Sequence, residues 1–247
     1  MEPRRKEVEA RLAGLGFAPR DAAILADHFL AAEARGKVGH GVSRVEWLEG
    51  LPSLDPSAQP VRVASQAGFE RWEGRGALGY LTLAAICAEV RAHPPTPARL
   101  VVAADCFPTG MLGYWVRGLA EAGLVAVLTA TSPRRLPHPA GGPPLAGTNP
   151  LAIGIPSSDG RPLVADVSMG KVTYGDVLRG AASPEELVPF GGEQAHKAFA
   201  LAVGLQLLVD SLAGDGYGAV LLVASPEFDP VPELRRLAAG ARLPGDR

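Results

Sequence analysis

The chain has 247 residues, of which 47% are hydrophobic, and its formal net charge is −2 at pH 7. This length and apolar content can bury a full core, and the charge leaves no basic excess to follow a phosphate backbone, which disfavours nucleic acid and membrane surfaces as partners. The first 20 residues hold no uninterrupted apolar core, and no later run reaches the ~18 apolar residues that span a bilayer. We therefore expect a cytoplasmic globular protein.

The N-terminal region is predicted to be helical. Residues 8–17 (VEARLAGLGF) and 21–36 (DAAILADHFLAAEARG) carry apolar residues at three- and four-residue spacing, which is typical of one-sided helices. The segment 51–60 (LPSLDPSAQP) is rich in proline and serine and indicates a loop. We therefore predict a helical region over residues 1–60 that packs on an α/β body over residues 61–247.

In the body, apolar helical and strand patterns alternate along the chain. Helices are predicted over 77–93, 114–123 and 195–214, the last of them long and mostly buried, and strands over 99–105, 124–131, 151–156, 163–168 and 218–224. Residues 132–150 (SPRRLPHPAGGPPLAGTNP) hold too much proline and glycine for regular structure and predict a long ordered loop, which in a compact domain is often functional. The alternation indicates an α/β fold with a mixed sheet and flanking helices.

Residues 74–79 (GRGALG) match the GxGxxG pattern of dinucleotide-binding folds, and a predicted helix follows them. Two features favour a simpler interpretation. The preceding residues FERWE are too charged for a central parallel strand, and Asp105 lies about ten residues beyond the usual position of the acidic partner, which is ~20 residues past the glycines. We therefore predict a glycine turn that opens a helix, and no Rossmann unit.

The two cysteines, Cys87 and Cys106, form neither a CxxC pair nor a disulfide framework. We interpret both as buried thiols and predict no metal site.

Residues 39–44 (GHGVSR) bring a histidine and an arginine together between a helix and a tryptophan. Taken in order with GTNPLAIGIP, LVADVS, VLLVASPEFDP and LPGD, this stretch resembles the malate/L-lactate dehydrogenase superfamily, which includes ureidoglycolate and sulfolactate dehydrogenases. GHGVSR is similar to the family's SHGxxR, and GTNPLAIGIP to its GTNPxAFAxP. The resemblance implies a non-Rossmann fold, a homodimer, and hydride exchange between NAD or NADP and a small 2-hydroxy or 2-imino acid.

The resemblance also assigns roles to individual residues, with the cofactor-binding part around residues 98–175. His40 would hydrogen-bond the reacting oxygen as the catalytic residue, and Arg44 would pair with the substrate carboxylate, with Asn149 as a second substrate-binding residue. The predicted cofactor-binding residues are Ser132, Thr148, Asp166, Val167, Ser168 and Lys197.

Several positions depart from the family pattern. The position of a second, proton-accepting histidine falls on Pro108, and that of a cofactor-binding lysine falls on Leu201, one helical turn after Lys197. Gly39 and Leu48 replace a serine and a tyrosine.

Three hypotheses follow. The protein is an active NAD(P)-dependent dehydrogenase or imine reductase, a degenerate relative that binds a nucleotide or carboxylate without turnover, or a dimeric structural partner. His40 and Arg44 also have a simpler interpretation, a polar turn that caps the preceding helix.

Overall fold

A computed structural model describes residues 2–246. The helices are α1 (Glu2–Gly14), α2 (Pro19–Ala34), α3 (Ser43–Glu49), α4 (Gly79–Ala92), α5 (Leu112–Glu121), α6 (Tyr174–Leu178), α7 (Ala195–Ala213) and α8 (Val231–Ala238). The strands are β1 (Val61–Gln66), β2 (Phe69–Glu73), β3 (Ala98–Ala104), β4 (Val125–Ala130), β5 (Leu136–Pro137), β6 (Pro144–Ala146), β7 (Leu151–Ile155), β8 (Leu163–Val167) and β9 (Gly218–Ala224).

Seven of these strands form one mixed sheet in the order β1-β2-β3-β9-β4-β7-β8. β2 and β3 run parallel, because α4 crosses over between them, and every other pairing in this sheet is antiparallel. The predicted fold class, a mixed α/β sheet with flanking helices and a helical N-terminal region, is confirmed. A doubly wound Rossmann sheet would be parallel throughout, so this topology is a different fold.

The expectation that FERWE is too charged for a central parallel strand was wrong, because these residues form β2, which lies between β1 and β3 and runs parallel to β3. The charge in this strand is compensated locally. Glu70 is only 3% exposed, and its carboxylate accepts a hydrogen bond from the Trp72 indole (3.1 Å) and pairs with Arg99 (3.0 Å). A buried carboxylate with two such partners is tolerated in a sheet.

The glycine turn 74–79 opens α4 as predicted, and it contacts the loop after β3. The Asp105 carboxylate accepts a hydrogen bond from the Gly76 N–H at 2.6 Å. A Cβ on Gly79 would lie 2.8 Å from the Phe107 nitrogen and the Pro108 oxygen. The turn is therefore packed against the loop after β3.

The main core lies on one face of the sheet and includes the N-terminal helices. α4 and α5 pack on this face, and α1 to α3 extend the same layer outward, so that Leu12, Phe29, Leu119 and Leu128 belong to one continuous buried cluster. The core therefore runs across the predicted boundary at residue 60, and the division into two regions stays a prediction.

α7 covers part of the opposite face, where Val209 and Ala213 pack against Val102 and Val220. The prediction that this helix is mostly buried was wrong, since Leu201, Leu207 and Leu208 are 45–55% exposed. By length and average composition alone, the stretch Gly192–Ala213 could cross a membrane. By itself this is weak support for a span, because helices packed on a sheet have the same composition.

The segment 132–150 is also more regular than predicted, because β5 and β6 form a two-stranded ribbon within it. The Arg135 N–H donates to the Ala146 carbonyl at its base (2.9 Å). The ribbon holds the rest of the loop against the sheet.

Candidate active site

The GHGVSR stretch forms a 3₁₀ turn over Val38–His40 that leads into α3. The Arg44 Nε donates to the Gly39 carbonyl at 2.8 Å, which fixes the side chain across the turn. Its guanidinium carbon lies 5.5 Å from the centre of the Trp47 ring. The two outer nitrogens of Arg44 hydrogen-bond to none of the residues 2–246, so they remain available for a bidentate carboxylate.

His40 and Arg44 face a cavity of about 380 Å³. Its walls come from this turn, from the loops after β3 and β4, from the end of β8 and from the start of α6. Six of the predicted site residues line it, namely His40, Arg44, Ser132, Thr148, Asp166 and Ser168. The fold therefore collects in one cavity residues that are up to 128 positions apart in the sequence.

The environment of His40 favours the neutral imidazole. Burial is the largest cause and, with the positive charges of Arg44 and Lys37, lowers the pKa of His40 to about 4, while Asp176 acts in the opposite direction. At neutral pH His40 therefore carries one N–H donor and one free acceptor nitrogen, as a side chain that exchanges a proton with a substrate requires.

The pKa of Asp166 is shifted upwards, whereas that of His40 is shifted downwards, and both shifts favour the neutral form. Its carboxyl lies at the start of α5, and burial raises its pKa against the opposing influence of Lys37 and of a hydrogen bond from the Gly113 N–H. A Cβ on Gly113 would lie 2.9 Å from the Asp166 Oδ2, so only glycine admits this contact. Asp166 is thus a second titratable group inside the cavity.

Three hydroxyl side chains form the wall beside Asp166. The Ser132 Oγ accepts a hydrogen bond from the Thr148 N–H (3.1 Å) and lies 3.4 Å from the Thr148 Oγ1. The Ser168 Oγ donates to the Thr148 carbonyl at 3.2 Å. These bonds join the loop after β4, the segment before β7 and the end of β8 into one polar surface.

The remaining predicted residues lie outside the cavity. Asn149 is fully buried, and its amide donates to the Ala202 carbonyl and to Gln206, each at 3.0 Å. Val167 is 45% exposed, since its side chain points away from the face that carries Asp166, and Lys197 is exposed on α7. Asn149 therefore supports the loop, and this chain does not bring Val167 or Lys197 to the cavity.

The positions that depart from the family pattern differ in whether they line the cavity. Pro108 lines the cavity, whereas Leu201 is exposed on α7 and is not part of its lining. Gly39 is buried, and a Cβ there would lie 3.2 Å from the Thr173 Oγ1 and the Asp176 Oδ1. The start of α6 therefore fills the space next to Gly39.

Three further cavity residues, Lys37, Arg135 and Tyr174, carry no sequence signal that could have identified them. They belong to three separate segments that only the fold brings together. Lys37 and Arg135 add positive charge to that of Arg44, and Asp166 is the only acidic side chain among the lining residues, so the cavity favours anionic ligands.

His28 is fully buried next to the cavity, where it contributes to packing. It lies among the Tyr80, Tyr114 and Trp115 rings, and its Nε2 accepts a hydrogen bond from the Met111 N–H at 3.0 Å. Burial lowers its pKa to about 3, so it stays neutral.

The described residues include no cluster of side chains that could bind a metal ion. Across residues 2–246 no three His, Cys, Asp or Glu side chains lie together as they would around a metal ion. Cys87 and Cys106 are free and buried, and burial raises the pKa of Cys87 to about 12 and that of Cys106 as well.

The mixed sheet, with a cavity that combines a neutral histidine, an arginine and three hydroxyl side chains, identifies a non-Rossmann α/β protein. The sequence model of malate/L-lactate dehydrogenases matches residues 2–187. The chain belongs to the malate/L-lactate dehydrogenase family.

Its curated relatives are dehydrogenases and reductases. It is 29% identical to a malate dehydrogenase from Pyrococcus horikoshii. The match covers 82% of this chain and 64% of the length of that dehydrogenase. It is 28% identical to a Delta(1)-pyrroline-2-carboxylate/Delta(1)-piperideine-2-carboxylate reductase from Pseudomonas syringae pv. tomato, with 94% of this chain and 83% of the relative covered. The crystal structure of delta1-piperideine-2-carboxylate reductase from that organism superposes with a TM-score of 0.82 at 25% identity, covering 98% of this chain and 89% of the other.

Proposed function

We propose that the protein is an NAD- or NADP-dependent oxidoreductase that exchanges a hydride with a small 2-hydroxy or 2-imino acid. The observation that carries this proposal is that His40 and Arg44 face the same cavity as the Ser132, Thr148 and Ser168 hydroxyls. The compounds named for the relatives, malate and pyrroline carboxylate among them, carry a carboxylate next to the carbon that is oxidised or reduced. Arg44 and His40 suit these two groups respectively.

The donor set also fits the proposed cofactor. Ribose and phosphate oxygens need hydrogen-bond donors; because Ser168 already donates to the Thr148 carbonyl, the hydroxyl donor would come from Ser132 or Thr148. When bound, the nicotinamide group would supply or accept the hydride.

In the oxidation direction, the substrate carboxylate pairs with the outer nitrogens of Arg44, which sets the orientation of the neighbouring hydroxyl towards His40. The neutral His40 accepts the hydroxyl proton as the C–O bond becomes a carbonyl. In the reduction direction, the protonated imidazole returns the proton to the oxygen. The Asp176 carboxylate acts on His40 in the direction that stabilises the imidazolium.

Substrate binding favours this proton transfer. In the free protein the Arg44 charge is one of the causes that lower the pKa of His40. A bound carboxylate compensates that charge, so the pKa of His40 rises in the complex. His40 therefore becomes a stronger base when a carboxylic acid occupies the cavity.

A second candidate function is binding of a carboxylate or nucleotide without turnover. It is favoured by Pro108, which lines the cavity at the position where the family resemblance implies a proton-accepting histidine. The two candidates differ in whether His40 alone suffices for proton transfer.

The test is reduction of 2-oxo acids and cyclic imino acids with NADH and with NADPH, followed by loss of the reduced cofactor's absorbance. Turnover of any of these acids supports the oxidoreductase. Absence of turnover, together with saturable quenching of the Trp47 fluorescence by a carboxylate, supports the binding protein.

The pH dependence tests the role of His40 more directly. Since Lys37 helps to lower the pKa of His40, Lys37→Met is expected to raise it. The acidic limb of kcat/KM for oxidation, which requires neutral His40, then moves to higher pH, and the histidine titration observed by NMR moves with it. Lys6→Met, far from the cavity in an exposed part of α1, should leave both unchanged. An unchanged limb in Lys37→Met would contradict the assignment of this limb to His40.

We also propose that the protein acts as a homodimer, inside the cytoplasm. Apolar side chains of α7 and β9 remain exposed in the single chain, among them Leu201, Leu207 and Leu222. Light scattering at micromolar concentration is expected to give twice the mass of the chain, and a monomer would contradict this.

A further inference from the structure

Arg135 lines the active-site cavity, where its guanidinium contacts an aromatic ring. Its guanidinium carbon lies 3.6 Å from the centre of the Tyr174 ring, so the planar group stacks on the ring face. The guanidinium nitrogens form no hydrogen bond or ion pair with any of the described residues. The neighbouring Arg134, in contrast, donates to the Leu145 carbonyl (2.8 Å) and to Asp210 (3.2 Å). The Arg134 guanidinium thus stabilises the fold through hydrogen bonds, whereas the Arg135 guanidinium has no such bond to the described residues.

The backbone that carries the Tyr174 ring is anchored at the start of α6. Thr173 and Asp176 cap the start of α6 reciprocally, with the Asp176 N–H donating to the Thr173 Oγ1 at 3.2 Å. A Cβ on Gly175 would lie 2.4 Å from the Gly39 oxygen, so α6 packs directly on the turn that carries His40. Stacking on a ring whose backbone is anchored orients the guanidinium before any ligand arrives, which reduces the entropy lost on binding.

Donors of the kind that bind phosphate lie on the same wall. Arg135 follows Ser132 in the loop after β4, and the Ser132 and Thr148 hydroxyls line the cavity with it. Arginine binds phosphate oxygens bidentately, and hydroxyl groups add single donors. A substrate carboxylate has its own partner in Arg44, which belongs to α3.

We infer that Arg135, oriented by Tyr174, binds a phosphate group of a nucleotide together with Ser132 and Thr148. That the nucleotide is a nicotinamide cofactor rests on the proposed function. The phosphate is either the 5′-linked pyrophosphate, common to NAD and NADP, or the 2′-phosphate that only NADP carries. Because Tyr174 belongs to α6 and α6 packs on Gly39, an anion at Arg135 also stiffens the segment that holds His40.

The experiment is calorimetric titration of the protein with ADP-ribose, 5′-AMP, 2′-AMP and adenosine, none of which requires turnover. Arg135→Gln is expected to weaken binding of a phosphate-bearing ligand about ten- to hundredfold, the usual effect of losing a charged hydrogen-bond partner, and to leave adenosine unchanged. Arg135→Lys keeps the charge without the stacked plane and should fall between the two. Arg20→Gln, an exposed arginine on α2, serves as the charge-matched control.

The arms of the titration separate the two sources of phosphate. A loss confined to 2′-AMP identifies the 2′-phosphate, and a loss for 5′-AMP and ADP-ribose identifies the pyrophosphate. The inference is overturned if Arg135→Gln binds every phosphate ligand as tightly as the native protein, or if the native protein binds none of them. Native binding of ADP-ribose without turnover of any acid would contradict the proposed function and leave this inference standing.

Discussion

Replacing His40 by alanine is expected to lower kcat for oxidation and reduction by about 10²–10⁴-fold, the contribution of a positioned general acid/base. His40 faces the cavity with Arg44, and its low pKa keeps the imidazole neutral and ready to accept a proton. The pKa of Asp166 is raised by burial, but this carboxyl lies on the α5 side and is not expected to replace His40. The measurement is steady-state kinetics on the acid that the native protein turns over fastest.

His93→Ala provides the control, because His93 is exposed at the end of α4, away from the cavity, and its loss should not change kcat. Pro108→His completes the set. Pro108 lines the cavity, so a histidine there would add a second acid/base group, and we expect this variant to exceed the native rate. Full activity in His40→Ala would refute the proton transfer proposed for His40. Fast native turnover that Pro108→His does not improve would establish a mechanism with one histidine.

Replacing Arg44 by glutamine is expected to lower kcat/KM by about 10²-fold or more, mainly through a higher KM for the acid. The outer nitrogens of Arg44 face the cavity unpaired, and a bidentate charged pair supplies two strong hydrogen bonds to a carboxylate. The native protein should therefore discriminate strongly between a 2-oxo acid and its amide.

The variant should lose this discrimination, which separates a lost carboxylate contact from a general defect. The Arg44 Nε also supports the turn through the Gly39 carbonyl, so thermal melting of Arg44→Gln and Arg44→Lys must accompany the kinetics. If the variant still prefers the acid over the amide by the native factor, Arg44 does not bind the carboxylate.

Much of the fold could be predicted from apolar periodicity, because most strands and helices here bury one side. In the main sheet, β1 and β2 were not predicted: β1 is mostly exposed, and in β2 the buried Glu70 suggested exposure. Its partner Arg99 lies 29 positions away, and a pairing at that distance leaves no local pattern. For α7 the error was the reverse, because its leucines were predicted to be buried and are exposed. Apolar composition does not distinguish a buried face from one that lacks a partner in the single chain.

For the site, sequence similarity identified the residues that sit in short motifs. Strand alternation could have refined this prediction. Asp166 and Ser168 share one side of their strand end, and the intervening Val167 must then face away. Arg135 and Tyr174 could not have been paired in advance, because their contact exists only once the loop after β4 meets α6.

The position of β9 has a consequence for how the molecule is built. β9 joins β3 to β4 in the middle of the sheet, yet it is the last strand in the chain. A growing chain can pair β1 with β2 and β7 with β8 early, since those contacts are local, but the two halves stay separate until residues 218–224 are available. The loops after β3 and β4, which carry Pro108 and Ser132, lie on opposite sides of this strand. The cavity therefore takes shape only once β9 has joined the two halves of the sheet.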